Sequence, residues 1–302
     1  SVLDQGVHKP TKNRNFTPEL DQAKKIFAAA LGRTEVQDLE KISTLPNLMT
    51  EIKVESAKEL DSIVENNVRG WIKNAEVSVR GISSENPAYE IIGIQPIYES
   101  ENLSDTLFAQ YSILAGNGRT TLNFGNGYRY MTPSENWLFG LNAFYDIEFP
   151  HRHRRMSFGV EAHSSIIEFN ANKYYALSGW MSGPDNQKEH ALDGSDIELG
   201  LMLPYALGSI RHKAFEWDTL HGLTKISGKT TSFRLHGDVV PGITLEVGFT
   251  DYDVREDREF VTLTYSLESR LNDPKPLFTD TAYQMRSMQG KRLEKVQREN
   301  RI

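Results

Sequence analysis

The chain contains no cysteine among its 302 residues. Disulfides, thiolate zinc sites and iron–sulfur clusters are therefore excluded. No apolar run reaches the roughly 18 residues that a membrane-crossing helix needs. Positive charge is not in excess: 34 Lys and Arg face 41 Asp and Glu, a net charge of −7. A globally basic surface for nucleic acid is thus absent. The first ten residues, SVLDQGVHKP, hold neither an initiator Met nor an apolar leader. For an exported chain, the expectation is a signal peptide already removed. Mean hydropathy is −0.49, which does not exclude a membrane barrel, because its strands turn only alternate residues to lipid.

Three zones follow. Residues 1–74 read as helical. Thr17-Pro18-Glu19 supplies a capping hydroxyl, a proline in the first turn and an acid near the positive helix end. Gly32 ends that helix. A second stretch covers 35–43. A third carries Leu60, Ile63, Val64, Val68, Trp71 and Ile72 at near-helical spacing, as a packing face or a docking surface.

From Ala75 to Leu267 the period changes to two. In NWLFGLNAFYD, Trp137, Phe139, Leu141, Ala143 and Tyr145 share one face, while Asn142 and Asp146 lie on the other. The same alternation sets Phe158 and Val160 against Arg155 and Glu161, and Leu199 and Leu201 against Glu198. It sets Leu245 and Val247 against Glu246, Phe233 against Arg234 and Asp238, and Leu263 against Thr262 and Thr264. Twelve strands are predicted: 75–82, 88–98, 104–114, 119–130, 136–146, 154–163, 165–177, 195–204, 207–217, 230–239, 241–251 and 258–267. Most have about the ten residues that a tilted strand needs to cross a bilayer.

Alternation also occurs in soluble sandwiches. Two features favour a barrel. Aromatics gather near strand ends: Tyr128, Tyr130, Trp137, Tyr145, Tyr174, Tyr175, Trp217 and Tyr252. Connections are also expected to alternate between tight turns (near Ser164, Ala206 and Pro241) and longer loops at 147–153, 178–194, 218–229 and 252–257. Lys173 falls on the oily face, through snorkelling or a bulge.

The third zone, 268–302, is a linker followed by a helix-like basic stretch holding Arg286, Lys291, Arg292, Lys295, Arg298 and Arg301. It is either a solvated tail or a plug within the lumen. In the second case its cations would meet inward Glu161, Glu198, Asp238 and Glu246.

Catalytic and metal readings are weak. His151 and His153 sit in PHRHRR, where Arg152, Arg154 and Arg155 suit lipopolysaccharide phosphates better than a metal suits the histidines. His163-Ser164-Ser165 is adjacency without catalytic geometry. GNGRTTLNFGNG lacks the Lys-Ser/Thr ending of a phosphate loop. Gly116 and Gly118 suit a turn, and Gly125 and Gly127 suit close packing inside a barrel. No catalytic residue, metal ligand or cofactor is expected.

The stretches LNFGNGYRY, NWLFGLNAFYD, HRRMSFGVEAHSSIIEFNANKYYALSGW, LDGSDIELGLMLPYALG and RLEKVQREN, in this order, resemble the β-domain of inverse autotransporters, the intimin/invasin group. The resemblance spans residues 65–302 and is loosest over 207–229. It implies an all-β membrane protein: a twelve-stranded antiparallel outer-membrane β-barrel over 75–267, a periplasmic helical region over 1–74 and a C-terminal pore-threading segment over 268–302. The N-terminus would be periplasmic and the C-terminus would face the surface of a Gram-negative cell.

It further implies export as a hairpin with help from the barrel-assembly machinery, and display of a passenger for adhesion. No passenger lies within this chain, and no peptidoglycan-binding module is recognisable in 1–74. On this reading Asn142, Asp146, Arg155, Glu161, Asn170, Asn172, Glu198, Arg234, Asp238 and Glu246 line the lumen and contact the plug. Arg286, Lys291, Arg292, Lys295 and Arg298 belong to the plug itself. Trp137, Phe139, Leu141, Phe158, Val160, Leu199, Leu201, Leu245, Val247 and Leu263 face lipid. The alternative is a passengerless scaffold that binds a periplasmic or surface protein through 18–74 or through loops 178–194 and 218–229.

Overall fold

The computed structural model describes residues 74–302, except 82–87, 184–186, 220–224, 267 and 270–271. The expected helices of residues 1–73 lie outside the described residues. Twelve strands close into an antiparallel barrel. They are β1 (Asn74–Arg80), β2 (Ala88–Glu99), β3 (Asp105–Gly116), β4 (Arg119–Met131), β5 (Trp137–Phe149), β6 (His153–Ser164), β7 (Ile167–Ala176), β10 (Gly194–Met202), β11 (Gly208–Asp218), β12 (Lys225–Leu235), β13 (Ile243–Tyr252) and β14 (Arg258–Ser266). A small hairpin, β8 (Met181–Ser182) and β9 (Lys188–Glu189), stands apart from the ring.

Sequential strands pair, and β1 closes on β14 from Glu76↔Ser266 to Arg80↔Thr262. Closure matters because an unpaired backbone edge has no water to bond in lipid. One irregularity interrupts the ladders, a bulge in β2 between Pro96 and Tyr98, where proline has no N–H to donate.

The period-2 pattern places faces as expected. Along β5 exposed and buried residues alternate almost without break. Leu141 is 60% exposed on the outer wall, whereas Asp146, further along the same strand on the inner face, is fully buried. Phe139, Phe158, Val160, Leu199, Leu201, Val247 and Trp137 are exposed with Leu141. Leu245 and Leu263 are half-buried and pair with each other across β13 and β14. Lys173 pairs with Phe158 in an unbroken register, which removes the bulge explanation. The largest buried side chains include Arg129, Arg155 and Arg211. The wall is thus oily outside and charged inside, opposite to a soluble domain.

Several expectations need correction. The strand expected at 230–239 is Lys225–Leu235. Val239 and Val240 read as strand residues, but they sit in the 236–242 connection, where Gly242 has φ +82° and Val240 is buried. Tyr174, Trp217 and Tyr252 line the interior instead of an outer girdle: Tyr174 is fully buried, and the other two border the lumen cavity. Tyr128, Tyr130, Trp137, Tyr145 and Tyr175 are exposed on the outer wall.

The connections 100–104, 132–136, 165–166, 203–207 and 236–242 share one end of the barrel, here the turn end. The opposite, loop end carries 117–118, 150–152, 253–257 and the described residues of the 177–193 connection. The expected asymmetry in length rests mainly on 177–193, since 117–118 is a two-residue turn with Asn117 and Gly118 at positive φ.

Candidate functional site: the occupied lumen

After β14 the chain crosses the turn end. There Ala206 and Phe278 form a β-bridge, and the Tyr205 N–H donates to the Ala282 carbonyl at 2.7 Å. The segment then enters the barrel. Where a helix was expected, it has one 3-10 turn, Met288–Lys291, and no α-helix among the described residues. Met288 fixes the entry by packing on Met131 and Leu138. The Arg286 N–H donates to Ser165 Oγ at 2.9 Å, and the Met288 N–H donates to the Glu135 carbonyl at 2.9 Å.

Two stacked units hold the tail further in. In β4, glycines at inward positions leave room for aromatic rings. A Cβ on Gly127 would lie 2.2 Å from Phe108, and one on Gly125 would lie 2.3 Å from Phe144. Those rings in turn carry arginines. The Arg129 guanidinium lies 4.6 Å from the Phe108 ring centre, and that of Arg298, from the tail, lies 4.3 Å from that of Phe144.

Arg129 is fully buried and chelated by Glu161 at 2.5 Å. Its free nitrogen donates to the carbonyls of Lys291, Arg292 and Glu294 at 3.2, 2.8 and 2.7 Å. Arg155 acts similarly nearer the loop end, donating to the carbonyls of Glu299 at 2.6 Å and Arg301 at 2.9 Å while bound to Asp146. Asn172 donates to the Gln297 carbonyl at 3.0 Å, and Tyr174 Oη accepts from the Glu299 N–H at 2.8 Å. The Val296 N–H donates to Gln110 Oε1 at 2.9 Å. The wall therefore grips main chain at many points.

Side chains add charge pairs. Arg298 meets Asp146 at 2.7 and 2.9 Å with both fully buried. Lys291 meets Glu168, Arg292 meets Glu99, Arg286 meets Asp238, and Lys295 meets Glu76 at 3.0 Å. Val296 and Leu293 pack on Ile92, Ile94, Phe108 and Phe144. At the turn end, partial burial alone would raise the Asp238 carboxyl. The hydrogen bond and charge of Arg286, with the charge of Lys275, outweigh burial and hold it below the ordinary carboxylate range.

The expected partners need revision. Asp146, Arg155, Asn172 and Asp238 touch the tail directly. Glu161, Glu198 and Glu246 do not pair with its cations; they bind barrel arginines Arg129, Arg211 and Arg234. Glu246 lies directly across the ladder from Arg234, Glu198 reaches Arg211 diagonally on the neighbouring strand, and Glu161 reaches Arg129 two strands away over Gly140. Asn170 bonds His163 at 3.0 Å and Asn142 is buried beside Gly159, so both line the wall beside the plug.

Glu76, Glu99, Gln110, Arg129 and Glu168 were not singled out from the sequence, and Tyr174 was expected in an outer girdle instead of at the tail. Parity carried the signal for Arg129, two and four residues beyond Gly127 and Gly125, and for Glu168, in step with Asn170 and Asn172. It carried none for Glu99, because the β2 bulge reverses the faces and turns Glu99 inward beside Thr106.

The 177–193 connection folds over the loop end. Glu189 of β9 accepts from Arg119 at 2.7 Å, and Arg119 also binds Glu148 at 2.7 Å. That contact with Arg119 holds the Glu189 carboxyl below its usual range. Among the described residues no group of acids and histidines has metal-site geometry. Ser164 Oγ donates to the Ile167 carbonyl, away from the His163–Asn170 pair.

Comparison with known proteins agrees with this architecture. The family model described as "Inverse autotransporter, beta-domain" matches residues 29–300. Inverse autotransporter adhesin YeeJ of Escherichia coli (strain K12) is 28% identical over 201 residues, 65% of this chain and 7% of that protein. Invasin of Yersinia enterocolitica is 33% identical over 111 residues, 36% of this chain and 13% of that protein. The chain thus spans a small part of these relatives. A solved structure reported under "Unveiling the Mechanism Behind the in-meso Crystallization of Membrane Proteins" superposes with TM-score 0.65 at 20% identity, over 76% of this chain and 97% of that one. That likeness concerns the fold. With the ring closed, the outer wall oily and the tail inside, the chain belongs to the inverse autotransporter β-domain family and is an outer-membrane barrel of Gram-negative type.

Proposed function

We propose that this barrel exports and anchors a C-terminal segment, and that 283–302 is the retained stretch of that segment. The turn end is periplasmic and the loop end faces the cell surface. The observation that carries the reading is the grip on main chain. Arg129 and Arg155 hold five carbonyl oxygens of the tail between Lys291 and Arg301. Carbonyls recur at every residue, so such donors serve a polypeptide of any sequence moving past them. The side-chain pairs, Arg298–Asp146 above all, then stop the chain at one register. No chemical step is catalysed, and the surface segment would serve adhesion, as the names of the relatives suggest. Lipid, lipopolysaccharide and the barrel-assembly machinery are the expected partners.

The competing reading is a passengerless scaffold. One of its docking loops, 178–194, is turned inward through Glu189 and Arg119, which weighs against it. The test is an epitope placed after Ile302 in intact cells. Export predicts antibody labelling without permeabilisation, and protease removal of the epitope with the barrel left whole. An epitope reached only after permeabilisation would refute export.

A further inference from the structure

The tail fills one side of the lumen only. Apart from contacts at the turn end, such as Arg286 with Asp238, its ion pairs and hydrogen bonds among the described residues fall on β1 to β7, and inward residues of β11 to β14 face the tail across open space. One cavity of about 1080 Å³ remains on that side. Its lining runs from Gly237 and Asp238 at the turn end to Arg255 and Glu259 at the loop end, so it extends the length of the barrel. The wall there carries hydroxyls, with Thr230 and Thr250 joined at 2.9 Å, and Thr262 and Thr264 lining the cavity from β14 across from Glu246 and Thr244. Most charges there are already matched. Arg234 holds Glu246 at 2.8 Å, and Arg211 binds Glu168 and Glu198.

Lys213 differs. It lines the cavity from β11, opposite Glu198, whose carboxylate Arg211 has taken. It has no ion pair or hydrogen bond among the described residues. Its strongest attractions, to Glu299 of the tail, Asp196 and Glu198, act from beyond ion-pair distance. A partly hydrated ammonium in a water-wide polar passage attracts mobile anions.

We infer that the barrel conducts small inorganic ions along this side passage while the tail stays in place, and that Lys213 sets a preference for anions. The inference holds whether or not the tail is an exported segment. The test is a planar bilayer containing the full chain under a KCl gradient. The expected result is steady conductance with a reversal potential on the anion side. K213E should move that potential to the cation side, and T262W should lower the conductance severalfold. Absence of conductance, or a reversal potential that K213E leaves unmoved, overturns the inference.

Because the native chain lacks cysteine, K213C, T262C and S157C can be probed without background. A charged methanethiosulfonate should modify the first two and spare Cys at 157, which lies beneath Arg298. Equal modification at 157 would show that the tail leaves the pore, and would overturn conduction beside a resident plug. This labelling also decides the matter if T262W fails to assemble.

Discussion

Asp146 is the residue whose loss should do most to free the tail. Its carboxylate meets Arg155 of the wall at 2.9 Å and Arg298 of the tail at 2.7 Å, and all three groups are buried. Asp146→Ala leaves two cations in a confined space with no counter-charge. Breaking a buried pair from one side costs about 3–5 kcal/mol. At 1.36 kcal/mol per decade, that is roughly two to four orders of magnitude in the population of the open state. Arg298→Leu is the informative comparison. It also cuts the tail's anchor, but Asp146 keeps Arg155, so no charge is stranded on the wall. The order Asp146→Ala well above Arg298→Leu above wild type is expected in amide hydrogen exchange of residues 291–301, measured in detergent micelles. Exchange of the β4 and β5 amides reports barrel integrity in the same experiment. If both variants accelerate exchange equally, or if Asp146→Ala leaves the tail protected, the argument from stranded charge is wrong.

Three further outcomes are expected. The Asp238 carboxyl titrates below its ordinary value, so its contribution to docking is complete above the unfolded value near 4 and is lost as pH falls through the lower folded value. Protection factors at 284–290, corrected for the intrinsic pH dependence of amide exchange, should therefore be unchanged between pH 7 and pH 5 and should fall only in stronger acid; lost protection at pH 5 would contradict this. Gly127→Val drives a side chain into the Phe108 ring and should destabilise the barrel by about 1–3 kcal/mol or more, with partial rescue by Phe108→Ala, read from heat-modifiable migration on gels. Leu141→Arg sets a cation on the outer wall and should cost about 2–4 kcal/mol in denaturant-monitored folding into lipid vesicles, a penalty that should vanish if that wall does not touch lipid.

Which parts were legible in the sequence follows from how each is encoded. A strand's two faces are set by position parity alone, so Asn142, Asp146 and Arg155 could be assigned to the interior and Leu141 and Val160 to lipid from neighbouring residues. The same parity pointed to Arg129 and Glu168, had it been carried into those strands. It failed at Glu99, where a single bulge exchanges the faces, and at Val239 and Val240, where apolar residues pack beneath a connection instead of extending a strand. It also said nothing of the space left beside the plug, a consequence of which wall the tail leans on.

The sequence by itself determined which residues of each strand share a face, because alternation is a local property; that the strands close into a ring with the oily faces outward rests on the pairing of β1 with β14. The sequence determined equally that the terminal segment is cationic and suited to an acidic interior. Only the tertiary structure decided which cation meets which carboxylate. Arg298 and Asp146 lie 152 positions apart, and nothing in either neighbourhood specifies the other until ring closure, glycine-sized gaps and stacked aromatics bring them within reach. Pairing in the lumen is a matter of three-dimensional distance: of the carboxylates that the sequence had offered to the tail, Asp238 took Arg286, while Glu161, Glu198 and Glu246 were claimed by arginines one or two strands away.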